Sequence, residues 1–142
     1  MTFVLDASVT LCWLFLDGKP AARTYALGVL EAMQRPAAKA IVPVTWGLEI
    51  SNVLGKAEIK GLLNEAQGGA FLEMLGSLEI AADQSTFTKA LSETLQVARR
   101  YRLSSYDASY LELAMRSGVP LATLDQDLLK AAGKAGVRRF AA

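Results

Sequence analysis

No histidine occurs among the 142 residues of this chain. Ser-His-Asp and Cys-His catalysis are thereby excluded, as is zinc held by imidazole. Cysteine is nearly absent too. Cys12 stands alone, so the chain can form no internal disulfide and no multi-cysteine metal centre. Long apolar runs are missing: the longest, Val9 to Leu16, falls far short of the roughly 20 residues that span a bilayer. No basic flank precedes the apolar start, which Asp6 interrupts, so no secretion signal is expected. These absences predict a cytoplasmic protein without a membrane partner. Any hydrolytic chemistry must draw on carboxylates and a metal-activated water.

What is present suits one compact unit. With 52% hydrophobic residues the chain can fill a core of ordinary domain size, and a single domain over residues 1–142 is expected. Strand-like runs are Thr2–Leu5, Ala40–Pro43, Leu78–Ala81, Pro120–Thr123 and Val137–Phe140. Helix-like stretches alternate with them. Pro20 suits the first turn of a helix continuing through 21–34. Trp46, Ile50, Val53 and Ala57 recur at helical spacing before Gly61, and Asn64 with Gln67 matches a capping box opening the next helix. Phe87, Ala90, Leu91, Leu95, Ala98 and Tyr101 form a further stripe; 104–116 and 127–134 complete the set. This alternation predicts an α/β fold, a three-layer α/β/α domain with a central, mainly parallel sheet.

Charge is balanced overall at +1 but not along the chain. Residues 1–98 hold seven basic and ten acidic groups, whereas 99–142 hold eight basic and four acidic. Arg99, Arg100, Arg102 and Lys130, with Lys134, Arg138 and Arg139, are candidates for phosphate contacts, against the plainer reading of a solvated basic face.

Four acids occupy junctions between apolar runs and helices: Asp6 after Phe3-Val4-Leu5, Glu49 after Pro43-Val44-Thr45-Trp46, Asp107 after Ser104-Ser105-Tyr106, and Asp125 after Thr123-Leu124. In an open parallel sheet such junctions line the ligand-binding edge. Two unit charges 4 Å apart repel by about 1 kcal/mol in water and about 4 kcal/mol at an effective dielectric near 20, so four converging carboxylates call for a cation. Oxygen-only donors select Mg²⁺ or Mn²⁺. Each acid also has a plainer explanation. Asp6 and Asp125 suit helix N-caps, Glu49 a surface position, and Ser104-Ser105-Tyr106-Asp107 the S-x-x-D capping pattern. Tyr106 and Tyr110 read as packing residues, and Glu112 faces away from the Asp107 stripe.

Taken together, Val4-Leu5-Asp6-Ala7-Ser8-Val9, Glu49-Ile50-Ser51-Asn52-Val53-Leu54, the run Leu103 to Ala114 containing Tyr106-Asp107-Ala108, and Ala122-Thr123-Leu124-Asp125-Gln126-Asp127-Leu128 resemble the four motifs of PIN-domain ribonucleases, specifically VapC-type toxins of toxin–antitoxin pairs. Cys12 departs from the pattern, standing where many relatives place a basic residue. The resemblance implies a PIN fold, Mg²⁺ or Mn²⁺, and endonucleolytic cleavage of RNA. It also implies a VapB-like antitoxin that covers the acidic pocket, and self-association as a homodimer. It assigns Asp6, Glu49, Asp107 and Asp125 to the acidic cluster, with Ser8, Asn52 and Thr123 as polar helpers. Asp6 and Asp107 are the expected metal contacts, and Glu49 and Asp125 bind directly or through water. Two other readings compete: a silent PIN-like module that only binds RNA or protein, and a phosphatase using Asp6 as nucleophile with Lys130 and Asp125 or Asp127.

Overall fold

The computed structural model describes residues 1–142. Four parallel strands, β1 (Thr2–Leu5), β2 (Lys39–Val42), β3 (Ile80–Ala82) and β4 (Leu121–Ala122), form a sheet in the order β3-β2-β1-β4. In β1 the side chains alternate between two buried faces, so Phe3, Val4 and Leu5 are all apolar rather than every second residue. Phe3 and Leu5 enter one core with Val9, Ala26, Val29 and Met33. Val4 enters the other with Tyr110, Leu111, Leu113 and Leu128. Burying each such Leu or Phe contributes roughly 1.5–3 kcal/mol.

Helices α1 (Ala7–Cys12) and α2 (Pro20–Met33) cover the first face; α7 (Ser105–Ser117) and α8 (Gln126–Lys134) cover the second. Between them in sequence lie α3 (Trp46–Ile59), α4 (Glu65–Gly76), α5 (Thr86–Ala90) and α6 (Glu93–Tyr101). Ile50, Leu54, Phe71 and Leu75 join α3 to α4 in a third core that also takes Ala7. The Asn64–Gln67 capping box is formed in both directions, at 2.8 and 2.9 Å. Helix α7 stops where Gly118 turns left-handed at φ +65°, a conformation that costs a side-chain-bearing residue free energy. The three-layer α/β/α arrangement with a parallel sheet is the one the alternation predicts.

Two expectations need correction. The fifth strand, 137–140, shrinks to a single parallel bridge between Arg139 and Leu121. Phe140, stacked on Phe3 with ring centroids 3.9 Å apart, holds this tail by packing instead. The stripe from Phe87 to Tyr101 is two helices, broken at Leu91–Ser92, with Phe87 and Leu91 each 89% exposed. The Ser92 hydroxyl bonds back to the Thr88 and Lys89 carbonyls, competing with the helical ladder there.

For the site, what matters is strand order. The chain runs outward from β1 through β2 to β3, then returns to place β4 on the opposite side of β1. The crevice at the carboxyl ends of β1 and β4 is the switch point at which α/β sheets bind ligands.

Candidate active site

Asp6 occupies that crevice. Its backbone N–H donates to the Ala122 carbonyl at 3.0 Å, stitching the end of β1 to β4. Although it stands at the N-cap of α1, its side chain caps nothing. Instead Ser8 Oγ donates to Asp6 Oδ2 at 2.6 Å and Thr123 Oγ1 donates to the same oxygen at 2.8 Å. The other oxygen, Oδ1, receives no side-chain donor. Asp6 is only 4% exposed, and burial pushes its carboxyl above the ordinary range against the pull of those two hydroxyls. Thr123 and Ser8 extend the network: Thr123 Oγ1 accepts from Asp125 N at 3.0 Å, and Ser8 Oγ accepts from Leu124 N at 3.1 Å.

Asp125 fills the role its position suggested. It N-caps α8, with Oδ1 accepting from Leu128 N at 2.8 Å. Asp107 lies in the first turn of α7, which follows α6 rather than a strand. Ser104 Oγ accepts from Asp107 N at 3.1 Å, so the capping pattern is real. The Asp107 carboxyl is nevertheless raised to about 6, first by burial and then by the charges of Asp125 and Asp6. Glu49 lies in the first turn of α3, where its place after the Pro43–Trp46 junction puts it. Burial raises its carboxyl, Asp6 and Asp107 raise it further, and a hydrogen bond from Tyr110 partly offsets both.

The four acids thus share one electrostatic neighbourhood, and no Lys or Arg pairs with any of them. All three ion pairs in the molecule lie elsewhere: Lys89–Glu93, Arg116–Asp83 and Arg116–Glu112. An all-oxygen, uncompensated donor set, with no side-chain donor on Asp6 Oδ1, fits a hard divalent cation. The acids are not drawn into a finished cage, because no three of them close tightly enough to hold an ion as they stand.

Tyr110 is the residue the sequence reading missed. Fully buried in α7, it donates its phenol to Glu49 Oε1 at 3.0 Å. Burial, then the charges of Asp6 and Glu49, push the phenol far above its ordinary range, so it remains a donor. Its apolar surroundings in sequence marked only a packing residue. Tyr106, also read as packing, is 64% exposed.

The remaining expected residues are dispersed. Asn52 is exposed on α3 and makes no hydrogen bond to the acids. Arg99, Arg100 and Arg102 at the end of α6, and Lys130 on α8, are all exposed and unpaired with any acid. This leaves the phosphatase arrangement without its lysine beside Asp6. Arg139, a candidate for phosphate, is engaged internally: it stacks on Tyr25 at 3.7 Å and donates to the Thr123 carbonyl at 3.3 Å. Glu112 is buried and held by Arg116 at 2.8 Å, away from the cluster.

Comparison with known proteins bears on this site. The family model described as the PIN domain matches residues 3–134. Ribonuclease VapC3 of Pyrobaculum aerophilum is 32% identical over 80 residues, 56% of this chain. The match spans 61% of that relative's length. Among solved structures, PAE2754 from Pyrobaculum aerophilum superposes with a TM-score of 0.65 at 26% identity, covering 92% of this chain and 87% of its own. FitAcB from Neisseria gonorrhoeae shares the fold, with a TM-score of 0.57 at 15% identity over 99% of this chain and 97% of its own. With almost its whole length matched by the family model, the chain belongs to the PIN domain family.

Proposed function

We propose that this chain is a metal-dependent endoribonuclease and the toxin of a toxin–antitoxin pair, with Asp6, Glu49, Asp107 and Asp125 as its catalytic acids. The observation that carries this reading is the uncompensated charge: four carboxylates at one sheet edge, each of Asp6, Glu49 and Asp107 raised by burial and by its neighbours, with no basic side chain to neutralise them. The likeness to Ribonuclease VapC3 supports the reaction class.

A bound Mg²⁺ or Mn²⁺ supplies charge neutralisation and a water acidic enough to attack a phosphodiester near neutral pH. The chain's own residues do the positioning. Asp6 and Asp107 are the direct metal contacts, and Glu49 and Asp125 bind directly or through water. Ser8 and Thr123 fix the Asp6 carboxylate by holding Oδ2, so Oδ1 stays turned to the ligand. Tyr110 does the same for Glu49. Asp125 keeps one oxygen on the α8 backbone and offers the other. Arg99, Arg100, Arg102 and Lys130 are the proposed RNA contacts, with single-stranded or looped RNA as substrate because a strand must be splayed to reach the acids. The proposed antitoxin places an Arg among the acids, its planar fork replacing the cation's charge. The toxin is proposed to act in the cytoplasm as a homodimer.

Sequencing of RNA ends after brief induction of the protein tests this reading. Discrete internal cuts that vanish in the Asp107→Asn variant are expected. Equal toxicity and equal RNA binding by that variant, without cuts, would replace the enzyme with a silent binding module. The acids' lack of a finished metal cage is what keeps that second reading in view.

A further inference from the structure

Beside the acids lies a cleft of about 700 Å³ walled by Thr45, Leu48, Glu49, Ser51, Asn52 and Tyr106. Three of its features belong together. Glu49 is common to the cleft and to the acidic cluster, so the cleft adjoins the site through that residue. Tyr106 is 64% exposed and adjoins Asp107 in sequence, and its phenol makes no hydrogen bond within the chain. Leu48, 71% exposed, supplies a second apolar surface. Tyr106 and Thr45 also wall a smaller cleft toward Thr86 and Ala90 of α5, so the ring stands as a partition between two hollows.

The polar groups here are neutral. Asn52 is exposed and makes no internal hydrogen bond, leaving both amide donors and the carbonyl acceptor available. Ser51 spends its proton on the Leu48 carbonyl at 3.2 Å and keeps acceptor capacity. Glu49 is the only charged residue lining the cleft, and it is negative. Phosphate is therefore repelled, whereas a flat neutral ring with polar edges is not. An exposed aromatic face beside unpaired amide and hydroxyl groups is how proteins hold unstacked bases.

We infer that this cleft is a nucleobase subsite, in which one unpaired base next to the scissile phosphodiester stacks on Tyr106 and hydrogen-bonds Asn52. The inference rests on the ribonuclease reading for the position of the base beside a cleaved bond, but not for its binding. It gives Tyr106 and Asn52 the role of choosing which nucleotide lies beside the acids.

The test measures binding and cleavage separately. Short unstructured RNA oligomers of mixed sequence, each carrying one 2-aminopurine or one abasic nucleotide at a different position, are titrated with the intact protein in Ca²⁺. One position is expected to show quenched 2-aminopurine and a loss of roughly 5- to 150-fold in affinity when made abasic, the range spanned by base–aromatic stacking. Tyr106→Ala should lose the same factor on the intact oligomer and nothing further on the abasic one, and Tyr106→Phe should restore stacking. Asn52→Ala should change which base is preferred at that position. Equal binding of every oligomer by wild type and Tyr106→Ala would overturn the inference. So would an abasic penalty that survives Tyr106→Ala, or a Tyr106→Ala defect confined to binding a protein inhibitor. Cleavage of longer RNA in Mn²⁺ separates the two readings. Cutting without any Tyr106 dependence sinks the subsite alone, and Tyr106-dependent stacking without cutting sinks the nuclease alone.

Discussion

The phenol of Tyr110 in α7 holds the carboxylate of Glu49 in α3 at 3.0 Å, joining two helices through residues 61 apart in sequence. It is the one side-chain bond between the helix that carries Asp107 and the helix that carries Glu49. A net hydrogen bond of this kind contributes about 0.5–1.5 kcal/mol. Tyr110→Phe should lower stability by that amount and keep the ring packed. Because the bond lowers the Glu49 carboxyl, its loss should move the acid limb of the cleavage pH profile upward, with kcat falling about tenfold. An unchanged profile would show that Glu49 takes no part in the reaction.

Asp6→Asn should abolish cleavage with little structural cost. Both hydroxyl donors converge on Oδ2, so an asparagine oriented with its carbonyl there keeps both bonds, and only the charge and the Oδ1 acceptor are lost. Asp107→Asn should be equally inactive. In EDTA each variant should melt no lower than wild type, because carboxylate repulsion is relieved. A purified Asp6→Asn or Asp107→Asn enzyme with full activity would remove these residues from the site.

The metal-free protein should lose stability as pH rises from about 4 to 7. Asp107 is raised in the fold from 3.8 to about 6, so the folded state holds a proton that the unfolded chain has released. Its contribution is complete below the unfolded value and gone above the folded one. Asp6 and Glu49 are raised too and act in the same sense. For a half-exposed carboxyl the loss is about 1 kcal/mol after allowance for solvent screening, or about 3 °C in Tm. Below pH 4 the trend should reverse, since Arg116 holds Asp83 below its ordinary range and that contribution is lost on protonation. Melting curves in EDTA across pH 3–8 check this; a flat profile that Asp107→Asn leaves unaltered would contradict it.

Mn²⁺ or Mg²⁺ should abolish that loss between pH 4 and 7 and raise Tm of the wild type, but not of Asp107→Asn. Ca²⁺, larger and with looser geometry, should bind and stabilise while supporting cleavage poorly. A complex with the proposed antitoxin should weaken as Mn²⁺ rises, since the proposed Arg and the ion would compete for the same carboxylates. Activity undiminished in EDTA would refute the metal mechanism.

Most of the architecture was legible because it rests on local signals. The Asn64–Gln67 box, Pro20 at a helix start and Gly118 at a helix end each act within a few residues, and each is found in place. Apolar runs marked four strands for the same reason. The break at Ser92 was hidden because a hydroxyl competing with the backbone leaves no trace in an apolar stripe. The final strand was overread because Val137 and Phe140, which flank two arginines, are apolar for packing, Phe140 on Phe3, while pairing is limited to one bridge. In the site, the acids were visible as a recurring junction pattern. Tyr110 was not, because its partner is fixed only by tertiary packing, and the exposure of Tyr106 depends on how α7 meets α3.

The bond from Thr123 to Asp6 spans 117 residues. During synthesis the N-terminal strand and Asp6 emerge first, yet the hydroxyl that orients Asp6, the strand that walls its crevice and Asp125 itself all come from the last fifth of the chain. Until Thr123 and Asp125 have been made, the chain therefore has no assembled acid cluster, however much of α1 to α6 has folded. The acid cluster is completed with β4 and the residues that follow it, in one late step. The same order makes truncation within the final strand and helix the most direct way to dismantle the acid cluster while leaving the β1–β2–β3 pairings intact.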